Sequence, residues 1–390
     1  MALFRAFFSV ARSISMSRYL LYFLVGILSG TATYTIMKTM YQTSSVGIAD
    51  AAPHLFVKPG FVTTVTTLAM LTSALVHLVS LSFERYRKSL RPVKVKMLFV
   101  VAIPALCDLC GSSLQNISLV FIPTSIFQIL KGSVLIFSAL FRRVFLRKRF
   151  TDSNLVGLCI CVFGLFPVSI AHILSKGTSS SSGKTDIALG LGLVLAAQFL
   201  RGAQFVVEEY LLKPPHTLPA LLMVGVEGFW GTLVMTSFVL PLLQHISGND
   251  VGNVLENTCD TLMMLWESAT LMSLAAGLFT AFFIFKISAA LVTVEASAVH
   301  RSFLQITRTV SVWILSVLMH YTSTDRHLGE PLTWYSILQA FGFVVLIYGQ
   351  LVYDDVLGFP FRSVCFRSPP GKEQLTKSHS DDLEEPHRSH

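Results

Sequence analysis

The chain has 390 residues, of which 53% are hydrophobic and only 13% charged, whereas a soluble globular domain carries about 25% charged residues. Its net charge of +8 would suit nucleic acid if gathered into one basic domain, but the positive residues lie between apolar runs, which excludes that partner. Its six cysteines are too few and too scattered for a disulfide framework.

In chain order, residues 1–18 (MALFRAFFSVARSISMSR) hold three Arg and no acid. They read as a cytosolic basic leader; a mitochondrial transit segment has the same composition. Crossing the hydrocarbon core takes about 20 apolar residues. Ten stretches qualify: 19–37, 61–83, 97–116, 121–141, 154–173, 187–209, 219–243, 268–290, 297–320 and 333–353. Backbone facing lipid must satisfy its own hydrogen bonds, so each is predicted to be a helix. The ends of the eighth and ninth are the hardest to place, because Lys286, Glu295 and Arg301 crowd there. In the first span Gly26 and Gly30 form a GxxxG, which reads equally as close packing or as a homodimer face. Cys107 and Cys110 sit in MLFVVAIPALCDLCG and are predicted to be packing residues, not a metal or redox pair. Asn116 fits the glycosylation pattern but abuts a span end, where the bilayer hinders access. The segment SKGTSSSSGKTD (175–186) is a flexible polar linker. The tail 354–390 is expected to be disordered. YDDVL from Tyr353 resembles a tyrosine-based sorting signal, but it abuts the last span.

Positive charge orients the chain. Segment 84–96 holds six Lys and Arg, 142–149 five, the leader three and the tail five. The alternate loops are poorer, with two in 38–60, two in 174–186, none in 244–267 and one in 321–332. Both termini are therefore expected in the cytosol, which requires an even number of spans.

The two halves echo each other. SIFQILKGSVLIF from Ser125 matches SFLQITRTVSVWI from Ser302, aligning Gln128, Ile129 and Lys131 with Gln305, Ile306 and Arg308. GLCICVFG from Gly157 matches GFVVLIYG from Gly342. A repeat of five spans is odd, so its second copy enters the membrane from the other side. The expected architecture is all-α, with ten transmembrane helices as two inverted five-helix repeats, 19–173 and 187–353, joined by a linker at 174–186. Inverted repeats characterise secondary transporters, whose solute site lies at midplane between the halves.

An intramembrane charge costs roughly 2.5–3.5 kcal/mol on insertion scales and so faces a cavity or a partner. Gln128 and Lys131 share one helical face, as do Gln305 and Arg308. Under a pseudo-two-fold axis these four converge, and two cations with two amides suit an anionic or phosphate-bearing solute. The sixth span adds Gln198, Arg201, Gln204, Glu208 and Glu209. Arg201 and Gln204 join the solute-binding set. Glu208 and Glu209 approach the cytosolic end, where one can snorkel to water. Glu227, flanked by glycines, is either a coupling-proton site or the partner of Lys131, Arg201 or Arg308. Asp108 is expected to pair locally. Glu208, Glu227 and Asp108 thus form the coupling or charge-partner set. No HExxH, Walker A or GxSxG sequence is present, so neither a metal site, nor an ATP-driven pump, nor an enzyme is expected.

PALCDLCGSSL (104–114), SIFQILKGSVLIFSALF (125–141), QFVVEEYLL (204–212), VGVEGFWG (224–231) and SAVHRSFLQITRTVSVWILS (297–316) resemble the drug/metabolite transporter superfamily. The likeness is EamA-like, on the nucleotide-sugar-transporter branch called solute carrier family 35, most of all its subfamily F of the member-six type. That resemblance implies ten helices in two inverted repeats, transport of small solutes across endomembranes and no bound cofactor. The GALNK signature of GDP-mannose carriers is absent. The expectation is a secondary transporter, with a small-molecule solute and the lipid bilayer as partners. A Golgi or lysosome-like membrane is favoured, with the mitochondrial membrane as the alternative. The competing reading is a non-transporting receptor or scaffold acting through the tail.

Overall fold

The computed structural model describes residues 2–48, 53–89, 92–121, 130–148, 150–176, 184–322, 332 and 334–353. At 2–16, 85–86, 89, 116, 119–121, 168–176, 184–187 and 249 it describes the backbone alone. The linker centre at 177–183, the tail at 354–390 and Gln128 lie outside the described residues.

Helix α1 runs from Ala2 to Gln42 without a break, so the basic leader continues into the first span. Its second half is rich in Thr, which ordinarily competes with helix. Here Thr31, Thr33, Thr35 and Thr39 each donate to the carbonyl four residues back, at 2.7–3.0 Å. The hydroxyls are thereby satisfied without water, and the segment remains compatible with lipid. There follow α2 (Pro59–Ser80), the short α3 (Glu84–Ser89) and α4 (Val95–Val100), then α5 (Ala102–Phe121). The next described helices are α6 (Val134–Phe145), α7 (Asp152–Lys176) and α8 (Lys184–Leu212). Helix α9 (Ala220–Val234) passes through a π-helical turn (Met235–Val239) into α10 (Leu240–Leu243). Pro241 lacks an N–H and its ring crowds the preceding turn; the wider π turn accommodates it. Last come α11 (Thr258–Glu267), α12 (Ala269–Glu295), α13 (Ala298–Thr322) and α14 (Trp334–Tyr353).

Among the described residues, eight helices are long and apolar enough to cross a membrane. They match the first three and last five expected stretches. The fourth stretch, 121–141, is described only in part: after Leu130 and Lys131 comes a turn at Gly132–Ser133 before α6. The fifth, 154–173, falls within the helix α7. Helix α12 extends to Glu295, five residues past the expected end, and so carries Lys286 well inside it.

The closest helix pairs are α7 with α14, α5 with α8, α1 with α12 and α2 with α9, while α6 packs mainly on α8 and less on α13. Small residues let the backbones meet. Along α7 and α14, a Cβ on Gly157 would come within 2.6 Å of the Tyr353 Cα, and one on Gly164 within 2.9 Å of the Leu346 nitrogen. Cys161 Sγ lies 3.4 Å from the Leu346 carbonyl at the centre of this contact. Gly228 meets Met70 on α2, and Gly231 meets Thr67. The GxxxG pair packs inside the chain: Gly26 against Leu304 and Ser288, Gly30 against Phe285 and Arg308. Tyr353 is buried against His300 and Phe303.

One end of the bundle carries a small clasp. Strands β1 (Ser44–Ser45) and β2 (His54–Leu55) form an antiparallel hairpin after α1. Strand β3 (Ser247–Asp250) and α11 precede α12. Asn257 caps α11, its Oδ1 accepting from the Cys259 N–H at 3.0 Å. This is the clasp end; the opposite end holds the C-terminus of α8 and the N-terminus of α13.

Candidate functional site

A cavity of about 250 Å³ lies between α1, α5, α6, α7, α8, α13 and α14. Lys131, Arg201, Gln305 and Arg308, named from the sequence, all border it. Lys38, Gln115, Gln198 and Gln339 also line it, with Tyr34 and Trp313 as aromatic walls. Among the described residues its lining holds four cations, four amides and no carboxylate. The turn at Gly132–Ser133 puts Gly132 on the wall beside Lys131, and a Cβ there would run into the Leu165 side chain. The Arg308 guanidinium lies 4.9 Å from the Phe285 ring centre, a cation–π contact that fixes it without neutralising it. Gln198 Nε2 and Arg201 Nε are buried without a hydrogen-bond partner. The lining includes Thr39 and Met319, close to the clasp-side ends of α1 and α13, so the cavity occupies the clasp-side half of the bundle.

Arg201 connects this cavity to a buried ionic chain. Its guanidinium donates to Asp108 Oδ1 at 3.1 Å and to Ser112 Oγ at 3.0 Å. Lys286 Nζ donates to Asp108 Oδ2 at 2.9 Å and to Glu227 Oε1 at 3.3 Å. Gln204 Nε2 reaches Glu227 Oε1 at 3.1 Å and Glu208 Oε1 at 3.0 Å. Glu208 pairs with Arg301, whose guanidinium stacks over Phe205 at 4.7 Å. Three carboxylates thus meet three cations in sequence, and each charge has a partner. Gln204 does not border the cavity: it lies about one turn beyond Arg201 on α8, and its amide is engaged by Glu208 and Glu227. The partner of Glu227 is Lys286, not Lys131, Arg201 or Arg308.

Neither carboxylate at the α8 C-terminus snorkels to water, for Glu208 and Glu209 are both fully buried. Glu209 meets Arg142 at 3.3 Å and Lys213 at 3.4 Å, and accepts from the Ala298 N–H at 2.9 Å. Lys213 also donates to the Ala296 carbonyl. These bonds join α6, α8 and the α12–α13 junction, and close the end opposite the clasp. The sequence showed Lys286 and Arg301 only as charges crowding span ends, and did not place them in the ionic chain. Lys286 was legible as a lone cation in the apolar run TAFFIFKISAALV, where an ionisable residue marks a site.

At the clasp, Lys58 Nζ donates to Asp250 Oδ1 at 2.6 Å and to Asp260 Oδ2 at 2.7 Å. His54 Nε2 is 3.0 Å from Asp260 Oδ2. His54, Asp250 and Asp260 have the spacing of a metal site, but the Lys58 ammonium already supplies the cation between the two carboxylates. Burial acts against the Asp260 carboxylate, yet hydrogen bonds from Lys58, the Ile48 N–H and His54 outweigh it and hold its pKa below the usual range. Glu256 accepts from the Gly60 and Phe61 N–H groups at 2.6 and 2.7 Å, an acid at the N-terminus of α2. Burial nevertheless pushes its pKa up.

Residues 54–170 match the EamA-like transporter family. Solute carrier family 35 member F6 of Mus musculus is 28% identical over 343 residues, covering 86% of this chain and 88% of the relative. An uncharacterised protein of Schizosaccharomyces pombe is 30% identical over 274 residues, covering 70% of this chain and 79% of the relative. The Homo sapiens solute carrier family 35 member F6 is 30% identical over 256 residues, 65% of this chain and 66% of that protein. A crystal structure of a protein 12% identical in sequence superposes with a TM-score of 0.54, covering 86% of this chain and 96% of that one, so the overall fold is shared.

Proposed function

The chain belongs to the EamA-like transporters of solute carrier family 35, subfamily F, a membrane transporter of small solutes, and from that premise we propose that it is a secondary transporter moving a small anionic metabolite by alternating access. The observation that carries the anionic character is the cavity lined by Lys38, Lys131, Arg201 and Arg308 with no carboxylate among the described residues. Cations so placed raise the local concentration of anions. The amides and Trp313 suit the hydrogen bonding and apolar contact of an organic body attached to that anion. Gln128 belongs to the same proposal by its repeat position, though it lies outside the described residues.

Two inverted five-helix halves are part of this reading, and the helix pairing supports them. If the first to fifth spans exchange with the sixth to tenth, the α1–α12 pair maps onto the α5–α8 pair. The α2–α9 and α7–α14 pairs map onto themselves, and the α6–α8 contact maps onto the α1–α13 contact. The glycine contact between α7 and α14 obeys the same rule: Gly157 faces Gly349, and Gly164 faces the carbonyl of Gly342. Exchange of these motifs turns one contact into the other. Cys161 and Leu346 are equivalent in the motif, and they touch each other. With both termini in the cytosol, the cavity would face the lumen of an endomembrane compartment.

A thermal-shift screen of the purified protein against nucleotide sugars, nucleotides, amino acids and vitamins should find a solute whose binding raises the apparent Tm. Uptake of that solute into proteoliposomes then tests the site. A charged hydrogen bond contributes about 1.5–3 kcal/mol, so Lys131→Ala and Arg308→Ala should each weaken apparent affinity about ten- to hundred-fold. Uptake as in the parent by both variants would remove these cations from the mechanism. A chain lacking 366–390 should still transport; loss of all function would favour a scaffold acting through its tail.

A further inference from the structure

We propose that Glu227 is a proton-binding site linked to the cavity through Arg201, Asp108 and Lys286, so that an anion and a proton are taken up together; this rests on the anion-cavity reading above. Asp108, Glu208 and Glu227 face Arg201, Lys286 and Arg301. Among the described residues, Arg201 alone belongs both to this chain and to the cavity wall. Its Nε is buried without a hydrogen-bond partner, a donor that its present contacts leave unused. An anion that draws Arg201 to itself leaves three carboxylates with two cations.

Geometry chooses which carboxylate then takes the proton. Arg301 belongs to Glu208. Lys286 lies closer to Asp108, at 2.9 Å, than to Glu227, at 3.3 Å. Asp108 is also the more solvated, with 21% of its side chain exposed against 1% for Glu227. Glu227 therefore loses most when Lys286 turns fully to Asp108. Its Oε2 is buried without a partner, and so is Oε1 of the neighbouring Gln204. Both orphans are acceptors, so the missing element is a donor, and a proton on Glu227 supplies one. The step is a simple protonation: the carboxylate takes H⁺ from water and becomes a neutral acid, and no other bond changes.

No other titratable group on the packed elements competes. Helix α9 carries no ionisable side chain besides Glu227, and α2 carries His77 alone. Helix α5 contributes Asp108 with the thiols Cys107 and Cys110; α8 contributes Glu208, and α12 contributes Lys286. By linkage, proton uptake on anion binding means that acidification tightens the anion, with the same coupling in both directions.

The test needs no solute. Infrared difference titration of the purified full chain should show a carboxylic-acid C=O band growing on acidification, and Glu227→Gln should remove it. Arg201→Gln mimics withdrawal of the guanidinium and should raise the band's midpoint, acting through Asp108 and Lys286, which link it to Glu227. Arg308→Gln, a cavity cation outside the chain, should move it less than Arg201→Gln does. Glu227→Asp keeps a carboxyl and should shift the band's frequency, which gives a second readout should the amide variant misfold. A band untouched by both Glu227 variants, or a midpoint indifferent to Arg201→Gln, would overturn the proposal. Absence of anion transport with the band behaving as described would sink the transport reading alone.

Discussion

Glu208 and Glu209 are neighbours in sequence and hold different partners. A helix turns about 100° per residue, so Glu208 points along α8 to Arg301 while Glu209 points toward Arg142, Lys213 and the start of α13. The Glu208–Arg301 pair is buried at both ends, with 0% and 3% of the side chains exposed. Removing one partner of such a pair costs about 3–5 kcal/mol because the other charge remains unpaired in a medium of low polarity. Arg301→Gln and Glu208→Gln should therefore each lower the apparent Tm sharply, while the double variant recovers most of the loss. Additive losses in the double variant would show that the pairing is not what stabilises this end. Arg301 was legible in the sequence only as a charge crowding a span end. Its role depends on α13 packing against α8, which sets Arg301 against Glu208 and Phe205.

At the scale of elements, the apolar runs and the glycine motifs were readable, because a bilayer imposes length and backbone satisfaction on any spanning segment. What was not readable was anything set by one loop meeting another. The clasp joins residues about 200 positions apart: Lys58 with Asp250 and Asp260, Gly60 with Glu256. The segments 38–60 and 244–267 showed only their poverty in positive charge. Two predictions belong here. A side chain at Gly157 would overlap the Tyr353 backbone at 2.6 Å, and overpacking of this kind costs typically about 1–3 kcal/mol. Gly157→Leu should thus lower the apparent Tm. Gly192→Ala, with nothing within 4 Å of the added methyl, should leave it unchanged or raise it; equal effects would refute packing as the reason for these glycines.

The clasp gives the second. Asp260 has a pKa held below its unfolded value, so the stability it contributes is fully present above the usual carboxylate range. It is lost as pH falls through the lowered value. Asp260→Asn should therefore reduce the apparent Tm at neutral pH, and the gap to the parent should close on acidification below that range. Glu256 has the opposite sign. Its raised pKa favours the protonated folded form, so Glu256→Gln should be tolerated best at neutral pH, where the parent carries the less favoured charged form. A gap for Asp260→Asn that stays constant with pH would mean the aspartate acts by packing alone.

For the whole molecule, the two ends of the bundle are built differently, and that bears on how it moves. The clasp end holds the cavity, whereas the opposite end is closed by the Glu208 and Glu209 pairs. If alternating access operates, these pairs must part for the cavity to open on that side. Each pair is buried, so opening must hydrate the charges as it separates them, and weakening one pair should shift the population toward the open form. Ser302 reports on this. It is fully buried one residue past Arg301, and its hydroxyl bonds to Ser138 of α6 at 2.8 Å. Ser302→Cys should react slowly with a membrane-impermeant thiol reagent added on the side of Glu209, measured against the chain without the added cysteine. Adding Glu209→Gln should speed that reaction several-fold, because it releases Arg142, Lys213 and the α13 N-terminus together. Cavity access from the clasp side, followed at Thr309→Cys, should fall in step, since a carrier opens one face at the expense of the other. If both cysteines became faster together, the variant would have loosened the bundle without shifting a balance between two states, and the two-state description would fail.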